Sequence, residues 1–555
     1  MSSDEPWVEK TLAGMSLARR VAQMVTVGIE GGYLSDDDPR FQHGARLARE
    51  LGVGGFVVYG GTPRDIARLL NRLQAEAAVP LLMSSDFEGG PGQQAAGASE
   101  FPGDMALSAV GAEELAYRVA TIGATEGRAM GIHLTYSPVA DVSVDPGNPA
   151  ESVRSFGGDL DLLGRLIAAY IRGYQENGML ATAKHFPGRG DVQRLANWPP
   201  FTYIAKPAAQ VEAQEFRAFS HAIAAGVACV MTEHVAVPSV TGGSELPASV
   251  EPALATGWLR EKLGFSGILS SDDLWYDFVV QRFGAEEVAV KAIQAGHDVL
   301  LKPRDPDAAV ERVVRAVESG EIPRERIDES VRKLLSAKAR LSLHRERFTD
   351  ESRLGALVGT TAHLAVVQEL ADRSLTLLRN DGVLPVASAS LKQIVNLSFQ
   401  KAESDPSPAT LAGKLSAAFP GTQSLTIRPE MESEAYERAL RLARSASLVV
   451  LSLFVPRDRI GDPAPLRGAD QALIRRILSA KPGAVIAMSY GNPFLVERLE
   501  GVPAFAVGYG EKGWFGNQAV YFESFVKLLR GELRPQGRLP VKVSSTFPIG
   551  SGIRG

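Results

Sequence analysis

The chain has 555 residues, 45% of them apolar and 22% charged, with a formal net charge of −5. That is ordinary globular composition, long enough for roughly two to four domains, or fewer if one is a large barrel. Charges of both signs are interspersed and no basic tract dominates, which argues against nucleic acid as a partner.

The start, Met1-Ser2-Ser3-Asp4-Glu5-Pro6-Trp7, has neither the basic opening nor the apolar core of a secretory signal. No run of about 18 apolar residues occurs. A soluble, cytoplasmic protein with no membrane partner is the expectation. An amphipathic helix is expected within residues 10–27, where Leu17, Val21 and Met24 share a face. Eight strand-like apolar runs then alternate with segments long enough for helices. They are Met24–Gly28, Gly54–Tyr59, Pro80–Ser85, His133–Val139, Leu180–His185, Cys229–Val235, Gly267–Ser271 and Asp298–Lys302. The pattern predicts a (β/α)8 TIM-type barrel over residues 1–345. The single cysteine, Cys229, lies in an apolar strand run and reads as a small buried residue, not a nucleophile.

Two charged amphipathic helices are expected at Ala308–Glu318 and Ile327–Leu343. A polar linker is expected over 346–369, with a helix around Ala362–Leu377. A second α/β series follows: Gln393–Ser398, Leu425–Arg428, Leu448–Phe454, Ala484–Ser489 and Ala504–Gly508. Residues 370–555 are therefore expected to form an α/β (αβα) sandwich domain.

Barrels of this kind carry their chemistry at the C-terminal ends of the strands. Asp86, Glu88, Asp141 and Asp272 fall at such ends, with Lys184, His185 and Arg154 as possible hydrogen-bond donors. A carboxylate ringed by donors that read hydroxyls describes a sugar site, where one carboxylate attacks the anomeric carbon and a proton donor assists departure. The eight histidines are scattered without metal-ligand spacing, so no metal is expected. The glycine-rich stretches Gly89-Gly90-Pro91-Gly92 and Gly188-Arg189-Gly190 match neither a phosphate-binding loop nor a dinucleotide fingerprint.

Several segments, in order, resemble glycoside hydrolase family 3, specifically its β-N-acetylhexosaminidase branch. They are Asp86-Phe87-Glu88-Gly89-Gly90, Ser137-Pro138-Val139-Ala140-Asp141 running on to Arg154-Ser155-Phe156-Gly157, Lys184-His185-Phe186-Pro187-Gly188, and Ser271-Asp272-Asp273-Leu274. Leu377–Pro385 and Gly537-Arg538-Leu539-Pro540-Val541 resemble the start and end of the family's C-terminal domain. The resemblance implies a retaining β-glycosidase acting on a small carbohydrate, a β-linked amino sugar or related glycoside, without a cofactor. It implies Asp272 as nucleophile, and Asp86, Arg154, Lys184 and His185 as holders of the sugar's hydroxyls.

The chain departs from that pattern at the proton donor. The branch's Asp-Ser-His motif is replaced by Leu195-Ala196-Asn197, and no imidazole stands there. Arg189 replaces the histidine of Gly-His-Gly, and Gln94 stands where a sugar-binding arginine is expected. Glu233, at a rim where the family has a small residue, is the expected substitute acid/base. Asp191 and Asp277 are weaker candidates, and Glu432, Glu434 and Glu511 are possible donors from the second domain. Two alternatives stay open: a binding or sensor protein that keeps the sugar pocket, and a β-glycosidase of different sugar specificity in which Trp198 stacks on the sugar.

Overall fold

The computed structural model describes residues 5–143, 148, 152–194, 201–386, 393–400, 405–429, 431, 433–456, 465–510 and 517–554. The chain divides into two compact units. The first comprises Met1–Ser99, Ala116–Asp141 and Ile167–Thr361, and the second Glu100–Leu115, Val142–Leu166 and Ala362–Gly555. The division at 361 falls inside the stretch expected to be a linker, and the helical turn Leu354–Leu357 belongs to the first unit.

The first unit is built on eight parallel strands: β1 (Val25–Glu30), β2 (Gly55–Tyr59), β3 (Leu82–Ser85), β4 (Leu134–Thr135), β5 (Leu180–Phe186), β6 (Cys229–Thr232), β7 (Ile268–Ser271) and β8 (Leu300–Leu301). They pair in the order β7-β6-β5-β4-β3-β2-β1-β8. The remaining seam, between β7 and β8, is joined by a parallel bridge from Ser270 to Val299 and by Ser271 N–H donating to the Val299 carbonyl at 3.1 Å. All eight expected strands are present, and the TIM-type barrel is the observed fold. The fourth is shorter than expected: β4 stops at Thr135, and Val139 rejoins the sheet only by a bridge to Lys184.

Local chemistry sets where the helices begin. Asp38-Pro39, Thr62-Pro63 and Asp305-Pro306 each place an oxygen-bearing N-cap before a proline, and each cap accepts from a backbone N–H of the first turn. Helix Pro63–Glu76 buries Ile66, Leu69, Leu70 and Leu73, a helical-period stripe facing the sheet. The helix expected within 10–27 is two: Glu5–Ala13, then Leu17–Gln23 capped by Ser16. Cys229 is buried in β6, and burial pushes its thiol up to about 12, so it is a core residue.

The second unit carries a six-stranded sheet: β9 (Thr376–Asn380), β10 (Ile394–Gln400), β11 (Gln423–Ile427), β12 (Leu448–Phe454), β13 (Val485–Ser489) and β14 (Ala504–Val507). The order is β9-β14-β13-β12-β10-β11, parallel throughout except for β9, which runs antiparallel to β14. Leu411, Leu415, Phe522 and Phe525 on flanking helices pack with Ile394, Val450 and Met488 of the sheet. β9 is a correction to the sequence reading. The helix expected to reach Leu377 ends at Ser374, and the chain then turns into an edge strand. Among the described residues, no single helix is long and apolar enough to cross a membrane.

Candidate active site

The C-terminal ends of the barrel strands bring most of the expected residues together. Asp86 and Glu88 follow β3, Asp141 follows β4, Lys184 and His185 lie on β5, Glu233 follows β6, and Asp272 follows β7. Each strand delivers its polar residues where the apolar run ends, so the buried ladder fixes their height above the barrel floor. On β5 the pairing register shifts between Ala183 and Phe186. That irregularity sets Lys184 and His185 apart from the regular alternation of the strand.

Lys184 is 4% exposed and donates from Nζ to Asp86 Oδ1 at 2.8 Å, and lies 2.7 Å from Glu88 Oε1. A buried ammonium needs such partners, and two carboxylates hold it in one place. His185 Nδ1 meets Asp141 Oδ2 at 2.7 Å. An ionised carboxylate only accepts, so Nδ1 carries the proton and Nε2 the lone pair. Asp141 also accepts from the Arg189 backbone N–H at 2.8 Å, which ties the loop after β5 to the loop after β4.

Arg189 and Glu233 are partners. Arg189 Nη1 donates to Glu233 Oε2 at 2.7 Å, and the His234 backbone N–H donates to Glu233 Oε1, also at 2.7 Å. His234 spans to the next strand end, with Nδ1 against Ser249 Oγ at 2.8 Å and Nε2 against the Asp273 carbonyl at 3.0 Å. One atom each from His185, Glu233 and Asp272 lies within 4.8 Å of the others. This trio has the composition of a cation site, yet Arg189 already supplies Glu233 with a counter-charge.

The two carboxylates divide their protons unequally. Burial pushes Asp272 well above the usual carboxylate range, and the charges of Glu233 and Asp273 push it further. Burial acts on Glu233 in the same direction, but Arg189 and His234 outweigh it and hold Glu233 below its ordinary value. The two carboxyls are thus driven apart, Asp272 upward and Glu233 downward.

Three residues of this rim, Lys302, Tyr59 and Trp275, escaped the sequence reading. Lys302, at the end of β8, donates to Asp273 Oδ2 at 2.6 Å and to the Tyr59 hydroxyl at 3.2 Å. Trp275 Nε1 donates to Asp273 Oδ2 at 3.0 Å. The usable signal was position, since Tyr59 and Lys302 both end expected strands. Gln94 accepts from the Gly60 backbone N–H at 3.1 Å.

Other expected residues stand elsewhere. Asp191 pairs with Lys206 at 3.1 Å, and Asp277 is exposed and pairs with Arg304. Arg154 is half-buried and belongs to the second unit. Glu434 lies exposed on helix Ser433–Ser445 of that unit. Leu195, Ala196, Asn197, Trp198, Glu432 and Glu511 lie outside the described residues.

Known proteins share this architecture and sequence. The model of the glycosyl hydrolase family 3 N terminal domain matches residues 17–337. A beta-N-acetylglucosaminidase/beta-glucosidase of Cellulomonas fimi is 30% identical over 421 residues, 73% of this chain and 72% of that protein. A beta-hexosaminidase of Stenotrophomonas maltophilia (strain K279a) is 32% identical over 50% of this chain and 82% of its own length. Among solved structures, a glycoside hydrolase family 3 beta-N-acetylglucosaminidase from Paenibacillus sp. superposes with a TM-score of 0.82. It is 32% identical and covers 96% of this chain and 99% of its own.

Proposed function

Because the chain belongs to glycosyl hydrolase family 3 and is a glycoside hydrolase, we propose that it cleaves β-linked N-acetylglucosaminides with retention, through a covalent bond to Asp272. The observation that carries this reading is the closeness of Asp272 and Glu233, whose nearest oxygens lie within 4.8 Å. Retaining glycosidases hold their two carboxyl groups about 5–5.5 Å apart, and inverting ones leave about 6.5–9.5 Å for a water.

In the first step Asp272 attacks the anomeric carbon as the bond to the leaving oxygen breaks, and Glu233 gives that oxygen a proton. In the second, Glu233 takes a proton from water, the water oxygen bonds to the anomeric carbon, and the ester to Asp272 breaks. The first step needs Asp272 ionised and a proton on Glu233, and the charge of ionised Asp272 raises Glu233 towards an acid's range. Asp86, Lys184 and His185 read the sugar's hydroxyls from the neighbouring strand ends. The amino-sugar preference draws support from the relatives named above, and a cytoplasmic location is the accompanying proposal.

The test compares an aryl β-N-acetylglucosaminide with an unactivated β-linked disaccharide. Glu233→Gln is expected to lower kcat/KM for the disaccharide by about 10²–10⁴-fold and that for the aryl glycoside far less, since a good leaving group needs no proton in the first step. Asp272→Asn is expected to abolish both activities. Equal turnover of the disaccharide by Glu233→Gln would remove Glu233 from the mechanism. Sugar binding without turnover of either substrate would favour a binding protein.

A further inference from the structure

Beside the nucleophile, on the same rim, lies a second concavity of about 380 Å³ that includes none of Asp86, Glu88, Lys184, His185, Glu233 or Asp272. Its walls are the end of β1, the helix Pro39–Arg46 and the loops after β7 and β8. The size is that of a small-molecule site. Two features give it a chemical character.

The first is aromatic. Trp275 is 48% exposed, three residues after Asp272, and lines the cleft. An exposed indole is costly to leave bare and offers a flat face for a pyranose ring. Lys302 braces it, with Nζ 5.0 Å from the Trp275 ring centroid and 4.8 Å from that of Tyr59. Lys302 adopts φ +48°, a left-handed backbone that a side chain with a Cβ rarely takes. Such a conformation is kept where surrounding contacts impose it, and here those contacts aim Lys302 at Asp273 and the cleft.

The second feature is charge. Arg40 and Arg304 line the cleft, with side chains 57% and 41% exposed. Each is fixed along part of its guanidinium. Arg40 is held by Asp38 and Glu30, and Arg304 by Asp277 and the Trp275 carbonyl. A guanidinium has five N–H donors, so both arginines are positioned and still have donors to spare. Glu30 is the only carboxylate among the lining residues.

We propose that this cleft is a subsite for a sugar bearing an anionic group, phosphate or carboxylate, with the ring on Trp275 and the anion on Arg40 and Arg304. It adjoins Asp272 through Asp273, which fits the leaving-group side of the scissile bond. That placement rests on the glycosidase reading; binding of an anionic sugar does not.

The test is calorimetric titration of glucose 6-phosphate, glucose and inorganic phosphate into the full chain, with N-acetylglucosamine in excess. Glucose 6-phosphate is expected to bind at least about tenfold more tightly than either glucose or phosphate, as one or two charge-assisted hydrogen bonds would give. Added salt should erode that advantage. Arg40→Gln with Arg304→Gln should bring glucose 6-phosphate to the affinity of glucose, and Trp275→Ala should weaken both sugars. Phosphate binding as tightly as glucose 6-phosphate would overturn the sugar subsite, as would an advantage that survives in both variants. Loss of aryl glycosidase activity with sugar-phosphate binding intact would count against the glycosidase reading alone.

Discussion

The residues that depart from the family pattern form a unit of their own. Arg189 and Glu233 are each unexpected at their positions, and they meet at 2.7 Å. The guanidinium lowers both Glu233 and Asp272. The proposed mechanism requires one proton on the pair, so activity should follow a bell-shaped pH profile. Arg189→Met removes a positive charge beside two carboxylates, so both must lose their protons at higher pH. Both limbs of the profile are expected to move upward, read from kcat/KM for an aryl glycoside between pH 4 and 9. An unmoved profile would detach Arg189 from the catalytic pair. The strand-end carboxylates and Lys184 were legible in the sequence because each follows an apolar run. The Arg189–Glu233 partnership was not, because the two lie 44 residues apart on different strand ends.

At the scale of elements, the barrel's closing seam depends on a buried charge. Asp298 precedes β8 at the end opposite the site, and its side chain is fully buried. It accepts from Arg260 at 2.7 Å, Arg326 at 3.0 Å, Ser330 at 2.7 Å and the Leu269 backbone N–H at 3.0 Å. Burial opposes its charge, but Arg260, Arg326 and Lys333 prevail and hold it below the ordinary carboxylate value. A folded-state value below the unfolded one stabilises the protein above about pH 4, and the contribution fades as pH falls through the folded value. Asp298→Asn is expected to cost about 3 kcal/mol at pH 7, because buried partners lose their counter-charge. In urea denaturation the gap from wild type should shrink at pH 3, and a gap independent of pH would contradict this account. The eight barrel strands were readable because apolar runs bounded by glycine, proline and polar residues leave few other structures open. β9 was missed because Leu375-Thr376-Leu377-Leu378 continues a helical pattern as readily as it starts a strand.

Over the whole molecule, sequence order and compact units do not coincide. The second unit recruits Glu100–Leu115 and Val142–Leu166 from within the barrel's sequence. These segments are bonded into it: Gly103 N–H donates to the Tyr509 carbonyl, Arg538 N–H to the Ala109 carbonyl, and Asn517 Nδ2 to the Glu100 carbonyl. A fragment of residues 362–555 lacks those partners. It is expected to melt broadly and show weak hydrogen-exchange protection near Tyr509, whereas the same region in the full chain should be protected. A fragment with a sharp transition and native protection at Tyr509 would make those segments dispensable. Such long-range recruitment has no local signature, which is why the sequence suggested domains in simple succession.

The central claim is a covalent glycosyl-enzyme on Asp272. Intact-mass measurement of the protein during turnover of an aryl β-N-acetylglucosaminide, with Glu233→Gln slowing the second step, tests it most directly. The account predicts a mass increase of one N-acetylhexosaminyl group, mapping to the peptide that contains Ser271-Asp272-Asp273 and absent when Asp272→Asn is added. Turnover with no adduct, or an adduct on another residue, would contradict it.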